Sequence, residues 1–370
     1  MGEEMLKRKA MDRFRFWKEN KTKQALLVTG ARQVGKTFLI RAFAEEKYTS
    51  ISEFNLVQSP DIKASFKSAK NADDLMLRIS VASGTPLVRG ETLIFIDEIQ
   101  ECPEVVTYIK FLVDRGDYDF VLSGSLLGVE LENIQSNPVG YLTVITMFPL
   151  DFEEFCWANG LDVDVFPTLR NAFETKTSVP DYLHERLMDL FHRYLIIGGM
   201  PDAVVAFLQN GQVDQVRIAQ KGILDFYERD ISKYAPKERR LVIKNIFHLI
   251  PSQLTSQTRR FKLSEIENIK RYTQISDEFL WLTKANVALA VYNINAPVRP
   301  LLINESQSLF KLFQSDVGLL SSQYPKQSSL SLLDGKPGAN MGGIYENFVA
   351  QELKAHGFDL RYFSKHKIGE

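Results

Sequence analysis

The octapeptide Gly30-Ala31-Arg32-Gln33-Val34-Gly35-Lys36-Thr37 constrains this chain more than any other stretch. Before it runs the apolar Ala25-Leu26-Leu27-Val28-Thr29, which predicts a buried strand. After it runs Phe38-Leu39-Ile40-Arg41-Ala42-Phe43, a glycine-free apolar run that predicts a helix. G-x-x-x-x-G-K-T between strand and helix is the phosphate-binding loop in its expected setting. Gly30 and Gly35 let the backbone turn the N–H groups of Ala31, Arg32, Gln33 and Val34 around a phosphate. The helix opening at Lys36 adds its positive end to that anion site. Lys36 can place an ammonium on the outer phosphates, and the Thr37 hydroxyl can ligate Mg2+. Binding of a nucleotide is the first expectation.

A second stretch gives that loop a partner. Thr92-Leu93-Ile94-Phe95-Ile96-Asp97-Glu98 is an apolar run ending in two carboxylates. A central parallel strand is buried on both faces and hence continuously apolar. Acids at its C-terminal end face the crevice where open α/β sheets bind ligands. Asp97 is the candidate metal residue, acting through water. Glu98 is the candidate to orient or deprotonate the attacking water. Tyr118-Asp119-Phe120-Val121-Leu122-Ser123-Gly124-Ser125 reads as a further strand with a polar tip, and Ser123 as the candidate sensor of the γ-phosphate. Hydroxyls also cap turns, which is the equal reading for Ser125. Ile51–Leu56 and the β-branched Tyr141–Met147 complete a set of strands alternating with helices, predicted near 5–20 and 73–79. The fold class that follows is α/β, a three-layer parallel-sheet P-loop NTPase domain over residues 1–155.

Four motifs come in order: Thr29–Thr37, Ile96-Asp97-Glu98-Ile99-Gln100, Ser123-Gly124-Ser125 and Phe148-Pro149-Leu150-Asp151-Phe152-Glu153-Glu154-Phe155. Together they resemble the AAA-type ATPases of bacteria and archaea that carry a C-terminal domain of unknown function (domain of unknown function 4143). The resemblance implies that the sensor strand lies between the phosphate-loop and Asp97 strands. It also exposes a departure. Relatives often carry a basic residue after a glycine before the fifth strand, whereas here Gly140 is followed by Tyr141. If that basic residue serves neighbouring subunits as an arginine finger, its absence bears on turnover more than on binding.

At 370 residues, more than one domain is expected. Residues 156–305 read as a helical region. A loop-rich stretch to 180 comes first, then helices from Tyr182 and from Val213 to Ile231, with Gly198-Gly199-Met200-Pro201-Asp202 as a tight turn between them. Helices near 241–254, 263–269 and 274–285, then apolar Val287–Tyr292 and Leu301–Asn304, predict a winged helix. The basic segments 229–244 and 259–272, which include Lys270, offer phosphate contacts. Residues 306–370 resemble the opening of a restriction-nuclease-like fold. Glu346 would be its helix-borne acid; a solvated or salt-bridged glutamate is the favoured alternative. The end of the chain at Lys367-Ile368-Gly369-Glu370 reads as a truncation that leaves the last thirty or so residues poorly packed.

The net charge of −1 gives no bulk electrostatic case for nucleic acid or membrane. Two cysteines without C-x-x-C spacing, five scattered histidines and a polar N-terminus predict a cytoplasmic protein without a membrane segment. No N-K-x-D guanine-reading motif follows the Asp97 strand, which favours ATP over GTP. The sequence therefore predicts a magnesium-dependent ATP-binding protein and slow ATPase, with ATP and Mg2+ as ligands and a homo-oligomer in prospect. The alternative is a nucleotide-gated module that binds DNA or a protein, with hydrolysis incidental.

Overall fold

The computed structural model describes residues 6–125, 140–266, 271–333 and 341–364. Two compact units divide the chain, one over Arg8–Met147 and one over Met1–Lys7 with Phe148–Glu370.

The first unit is a three-layer α/β domain. Its strands are β1 (Ala25–Thr29), β2 (Ser50–Asn55), β3 (Thr92–Asp97), β4 (Asp119–Ser123) and β5 (Leu142–Thr146). They lie in the order β2-β3-β4-β1-β5, with all pairs parallel. β4 separates β1 from β3, as the resemblance implies. β3 is buried at all six positions, because helices cover both faces of the sheet. Alternation along the strands sends Leu27, Phe54, Ile94, Ile96, Phe120 and Leu122 into a core with α3 (Pro60–Lys67), α4 (Ala72–Ala82) and α5 (Glu104–Arg115). On the other face lie α1 (Ala10–Asn20) and α2 (Lys36–Lys47), where Phe14 meets Phe43 edge-on with ring centroids 5.6 Å apart. Asp119 opens β4 and bonds Lys18, Lys21 and Tyr48. Burial alone would raise its carboxyl, but these hydrogen bonds outweigh it and hold the group below the usual range. Its contribution to stability is therefore present at neutral pH and is lost as pH falls through that lowered value.

The second unit begins at Phe148 rather than after residue 155. Asp151 caps α6 (Phe152–Ala158) through a reciprocal pair with Glu154, and Phe152 packs on Phe191, Tyr194 and Phe348 of this same unit. The stretch expected to be loop-rich carries α7 (Val165–Thr175). Pro167 falls in its first turn, where a missing N–H costs no intrahelical bond. Helices α8 (Asp181–Ile197), α9 (Pro201–Asn210), α10 (Val213–Tyr234) and α11 (Arg240–Thr255) follow. The turn between α8 and α9 is drawn tight by close approach: a Cβ on Gly199 would sit 1.9 Å from the Leu150 carbonyl oxygen.

The winged-helix expectation is met only in part. α12 (Ser276–Lys284) forms, but between α11 and α12 the described residues hold only short 3-10 turns, Leu263–Glu265 and Tyr272–Gln274. The Gln253 amide of α11 bonds Glu265 and the Lys262 N–H at 2.6 and 2.9 Å, and the rest of the expected middle helix, 267–269, lies outside the described residues. Lys270 lies outside the described residues, as do Lys367 to Glu370. The hairpin's second strand is not Leu301–Asn304, a 3-10 turn, but β7 (Glu305–Gln314), antiparallel to β6 (Ala288–Ile294). β8 (Arg361–Phe363) adds on the far side of β6 in parallel. A boundary at 305/306 would thus divide strands of one sheet, and residues 306–364 belong to this unit instead of opening a separate nuclease-like fold.

The last helix is also well packed, contrary to expectation. In α15 (Gly342–Ala355), Asn347 pairs both its amide atoms with the backbone of Gln314, at 2.8 and 3.1 Å. One turn later Gln351 accepts from the Val317 N–H at 2.7 Å and donates to the Tyr194 hydroxyl at 2.6 Å. These two side chains satisfy the buried backbone where β7 gives way to α13 (Val317–Ser322). A further short helix, α14, spans Lys326–Leu330.

Asp316, fully buried, caps α13 and accepts from the N–H groups of Gly199 at 2.7 Å and Leu319 at 3.0 Å. Burial raises its carboxyl to about 6, with the N–H donors of Gly199, Leu319 and Gly318 working the other way. A folded value above the unfolded one, near 3.9, means that this contribution is greatest below about pH 4 and is lost as pH rises to about 6, by up to about 3 kcal/mol. Urea unfolding of this unit at pH 4.5 and pH 6.5 (about the two ends of that window) should show the gap between wild type and Asp316→Asn narrowing as pH rises. An unchanged gap would mean that the carboxyl is ionised throughout.

Candidate nucleotide site

The site lies wholly in the first unit, at the C-terminal ends of β1, β3 and β4. Gly30 leaves β1 with φ +135°, a region that L side chains avoid, and β5 passes beside it. A Cβ there would sit 2.1 Å from the Met147 carbonyl oxygen, while the Met147 N–H is bonded to the Thr29 carbonyl at 2.8 Å. Gly30 is therefore needed for space as well as for dihedral freedom. Gly30→Ala is expected to destabilise this unit by about 2–3 kcal/mol and to weaken nucleotide binding. Thermal unfolding within experimental error of wild type would contradict the close approach.

The loop then curls through Gln33 (φ 66°) and Gly35 (φ 89°) into α2. Lys36, buried, turns its ammonium back onto the loop and donates to the carbonyls of Gly30 at 3.0 Å and Ala31 at 2.8 Å. From ahead of α1, buried Arg8 donates to the Val34 carbonyl at 2.9 Å, bracing the loop from outside.

Asp97 is the hub. Its Oδ2 accepts from the Thr37 hydroxyl at 2.9 Å and the Asn55 amide at 3.2 Å. Its Oδ1 accepts from the Ser123 hydroxyl and from the Glu98 N–H at 3.0 Å. The sheet order explains the meeting. Asn55 and Asp97 are paired across β2 and β3, while β4 carries Ser123 in beside them and α2 brings Thr37 from β1. Glu98 stands just past the strand in left-handed backbone, φ 56° and ψ 46°. Its Oε1 lies 3.7 Å from Arg32 Nη2, and the Gln100 amide donates to Oε2.

The candidates Lys36, Thr37, Asp97, Glu98 and Ser123 are thus gathered at one sheet edge with the loop residues Gly30 to Gly35. Asn55, Gln100 and Arg8 were missed, as was the side chain of Arg32. Only Asn55 had a usable signal, as a polar residue next to the end of an expected strand. The donor set of Thr37 and Asp97 is all oxygen, which suits a hard cation such as Mg2+ that takes its other ligands from water and phosphate. Among the described residues no group of three or more His, Cys, Asp or Glu could hold a metal by protein ligands alone.

Four arginines of the basic segments are held within the second unit. Arg239 pairs with Asp277 at 2.5 Å, and Arg240 donates to the Ala235 carbonyl at 2.9 Å. Arg259 bonds Glu346, and Arg260 bonds the Ser364 hydroxyl at 2.6 Å. Glu346 also meets Lys311 at 3.1 Å, so the expected nuclease acid sits between two cations instead of among carboxylates. Among the described residues no helix is long and apolar enough to cross a membrane.

Comparison with known proteins agrees with the fold. Residues 22–156 match the family model described as an AAA domain. Residues 188–329 match a different domain of unknown function, DUF8612, and not domain 4143. No curated protein matches the chain. Among solved structures, a Walker-type ATPase of Pyrococcus abyssi is similar at 15% identity and a TM-score of 0.49, covering 87% of this chain and 97% of its own. The AMPPCP-bound DnaA of Aquifex aeolicus is similar at 11% identity and a TM-score of 0.32, over 75% and 88%. The Orc1 protein of Aeropyrum pernix, solved in complex with DNA, is similar at 13% and 0.30, over 90% and 93%.

Proposed function

We propose that this chain is a magnesium-dependent ATP-binding protein and slow ATPase that couples nucleotide state to its second unit. The observation that carries the reading is the Asp97 carboxylate, held by Thr37 from the phosphate loop, Ser123 from the sensor strand and Asn55 from the neighbouring strand. Loop and acidic strand end then work as one site. The N–H groups of Ala31 to Lys36 cradle the phosphates, and the Lys36 ammonium leaves the loop carbonyls for the outer phosphates. Thr37 and Asp97 hold Mg2+, which when bound neutralises charge developing on the phosphoryl oxygens. Glu98 orients the attacking water, and Ser123 reports on the γ-phosphate through Asp97.

ATP turnover with and without Mg2+, across protein concentrations, tests this reading. We expect slow metal-dependent release of phosphate, with ATP preferred to GTP. A specific rate that rises with concentration would show that a neighbouring copy completes the site, consistent with Tyr141 at the position where relatives carry a basic residue. Absence of ATP binding would overturn the reading. DNA contact through segments 229–244 and 259–272 is the less favoured alternative, because Arg239, Arg240, Arg259 and Arg260 are held by partners within the second unit. A protein partner fits those segments equally well.

A further inference from the structure

The chain crosses between its two units at Lys7–Arg8 and again at Met147–Phe148. On the side of the first unit, both crossings are tied to the phosphate loop. Buried Arg8 donates from Nη1 to the Val34 carbonyl at 2.9 Å, and the Met147 N–H donates to the Thr29 carbonyl at 2.8 Å. A peptide group is planar and trans, so its C=O and N–H point in opposite directions. The Val34 carbonyl shares its plane with the Gly35 N–H, as the Thr29 carbonyl does with the Gly30 N–H. An arginine holding the Val34 oxygen from outside the loop therefore aims the Gly35 N–H inward, toward the place of a phosphate. On the side of the second unit, each crossing is anchored again. The Lys7 ammonium lies 4.9 Å from the centre of the Trp157 ring, near the end of α6. After Phe148, the Leu150 N–H donates to the Gly199 carbonyl at 2.7 Å, just before α6 begins at Phe152.

We infer that Arg8 is a positioning residue that couples occupancy of the phosphate loop to the chain arriving from the second unit. This rests on the ATP-binding reading and names a route by which that site acts beyond its own unit. A cation on the Val34 carbonyl polarises the peptide group and makes the Gly35 N–H a stronger donor. A phosphate on that N–H makes the carbonyl a stronger acceptor in return. Each bond tightens the other, and linkage makes the two factors equal: nucleotide strengthens the hold on Arg8 as much as Arg8 strengthens nucleotide binding. The backbone cradle serves phosphates that ADP shares with ATP. This route therefore distinguishes a filled loop from an empty one and is indifferent to the γ-phosphate.

Trypsin reads the Arg8 anchor directly, because Lys7 and Lys9 flank it and cleavage of a native chain follows local opening. With Mg2+ present, saturating ADP or a non-hydrolysable ATP analogue should slow cleavage after Lys7 and Lys9 about three- to tenfold in the wild-type chain. Cleavage after exposed Lys176, between α7 and α8, should stay constant and serves as the reference. Arg8→Ala should lose the slowing at saturating nucleotide and should bind ADP and the analogue more weakly by that same factor. Arg8→Lys keeps the charge but not the fork and should fall between the two. It replaces the alanine variant if a melting curve shows that variant unfolded. A merely structural Arg8 predicts a lower melting temperature with the effect of nucleotide on cleavage intact. Slowing that is absent from the wild type, or equal in the variant, overturns the coupling and leaves the ATP-binding reading standing. A wild-type chain that binds neither nucleotide overturns both.

Discussion

Lys36→Ala is expected to abolish detectable nucleotide binding, a loss of at least about a hundredfold in affinity for ATP and ADP alike. Truncating one partner of a buried charge-assisted bond costs about 2–5 kcal/mol, and in this site the phosphates would be left facing a cradle of neutral N–H groups. Lys36 already lies inside the loop, with its ammonium on the carbonyls of Gly30 and Ala31 at 3.0 and 2.8 Å. It therefore needs only to exchange these acceptors for phosphate oxygens. The same bonds give the variant a second, smaller effect, because alanine leaves two loop carbonyls without their donor. Thermal unfolding should fall modestly, by about 1–2 kcal/mol. Titration with fluorescent ATP beside a melting curve separates the two. Binding retained within about threefold of wild type would remove Lys36 from the phosphate site.

Glu98→Gln should leave ATP bound and slow its hydrolysis by about 10²–10⁴, the range that a positioned general base contributes. An amide keeps the shape and the bond to Gln100 but cannot accept a proton from the attacking water. The backbone of Glu98 is held by its N–H bond to Asp97 Oδ1 at 3.0 Å, so the substitution should not disturb the hub. Single-turnover release of phosphate from pre-bound ATP is the direct measurement. Hydrolysis at the wild-type rate would mean that some other group orients the water. The two variants differ in a way that a merely unfolded protein cannot imitate: one loses binding, the other loses only the step after it.

Much of the site was legible because its chemistry is local. Gly30 to Thr37 are contiguous, and a strand before and a helix after leave that octapeptide few other uses. Asp97 and Glu98 were legible for a related reason, since a run buried on both faces advertises a central strand and its acids must lie at the strand's end. Ser123 needed one more fact, that its strand lies beside β1, which came from resemblance and not from spacing. Asn55 was signalled only by its place near a strand end, and Gln100, Arg8 and the Arg32 side chain were not legible. Each acts across 2 to 66 residues of chain, as with Gln100 on Glu98 or Arg32 on Glu98, and no periodicity encodes such a meeting.

The second unit shows the opposite balance. Its helices followed from apolar steps of three and four, yet only part of the expected winged helix and no separate nuclease-like fold appear among the described residues. Gln253 holds Lys262 and Glu265 at the start of the expected middle helix, and β8 joins β6 where a separate fold was expected. Within the basic runs, Arg239, Arg259 and Arg240 are held by Asp277, Glu346 and the Ala235 carbonyl. Charge in a sequence is visible; the partner that neutralises it is not.

By itself, then, the sequence determined a phosphate loop, an acidic strand end and an α/β layer to carry them. Those features depend on dihedral freedom, continuous burial and contact between near neighbours, all written in consecutive residues. Only the tertiary structure decided what surrounds Asp97, what restrains Glu98 and why Gly30 admits no side chain. Asp97 gathers donors from β2, β4 and α2 at once, Glu98 is held by a loop that starts more than sixty residues earlier, and Gly30 is closed in by Met147 of β5. Such contacts come from the order in which strands lie side by side, which sequence order does not contain.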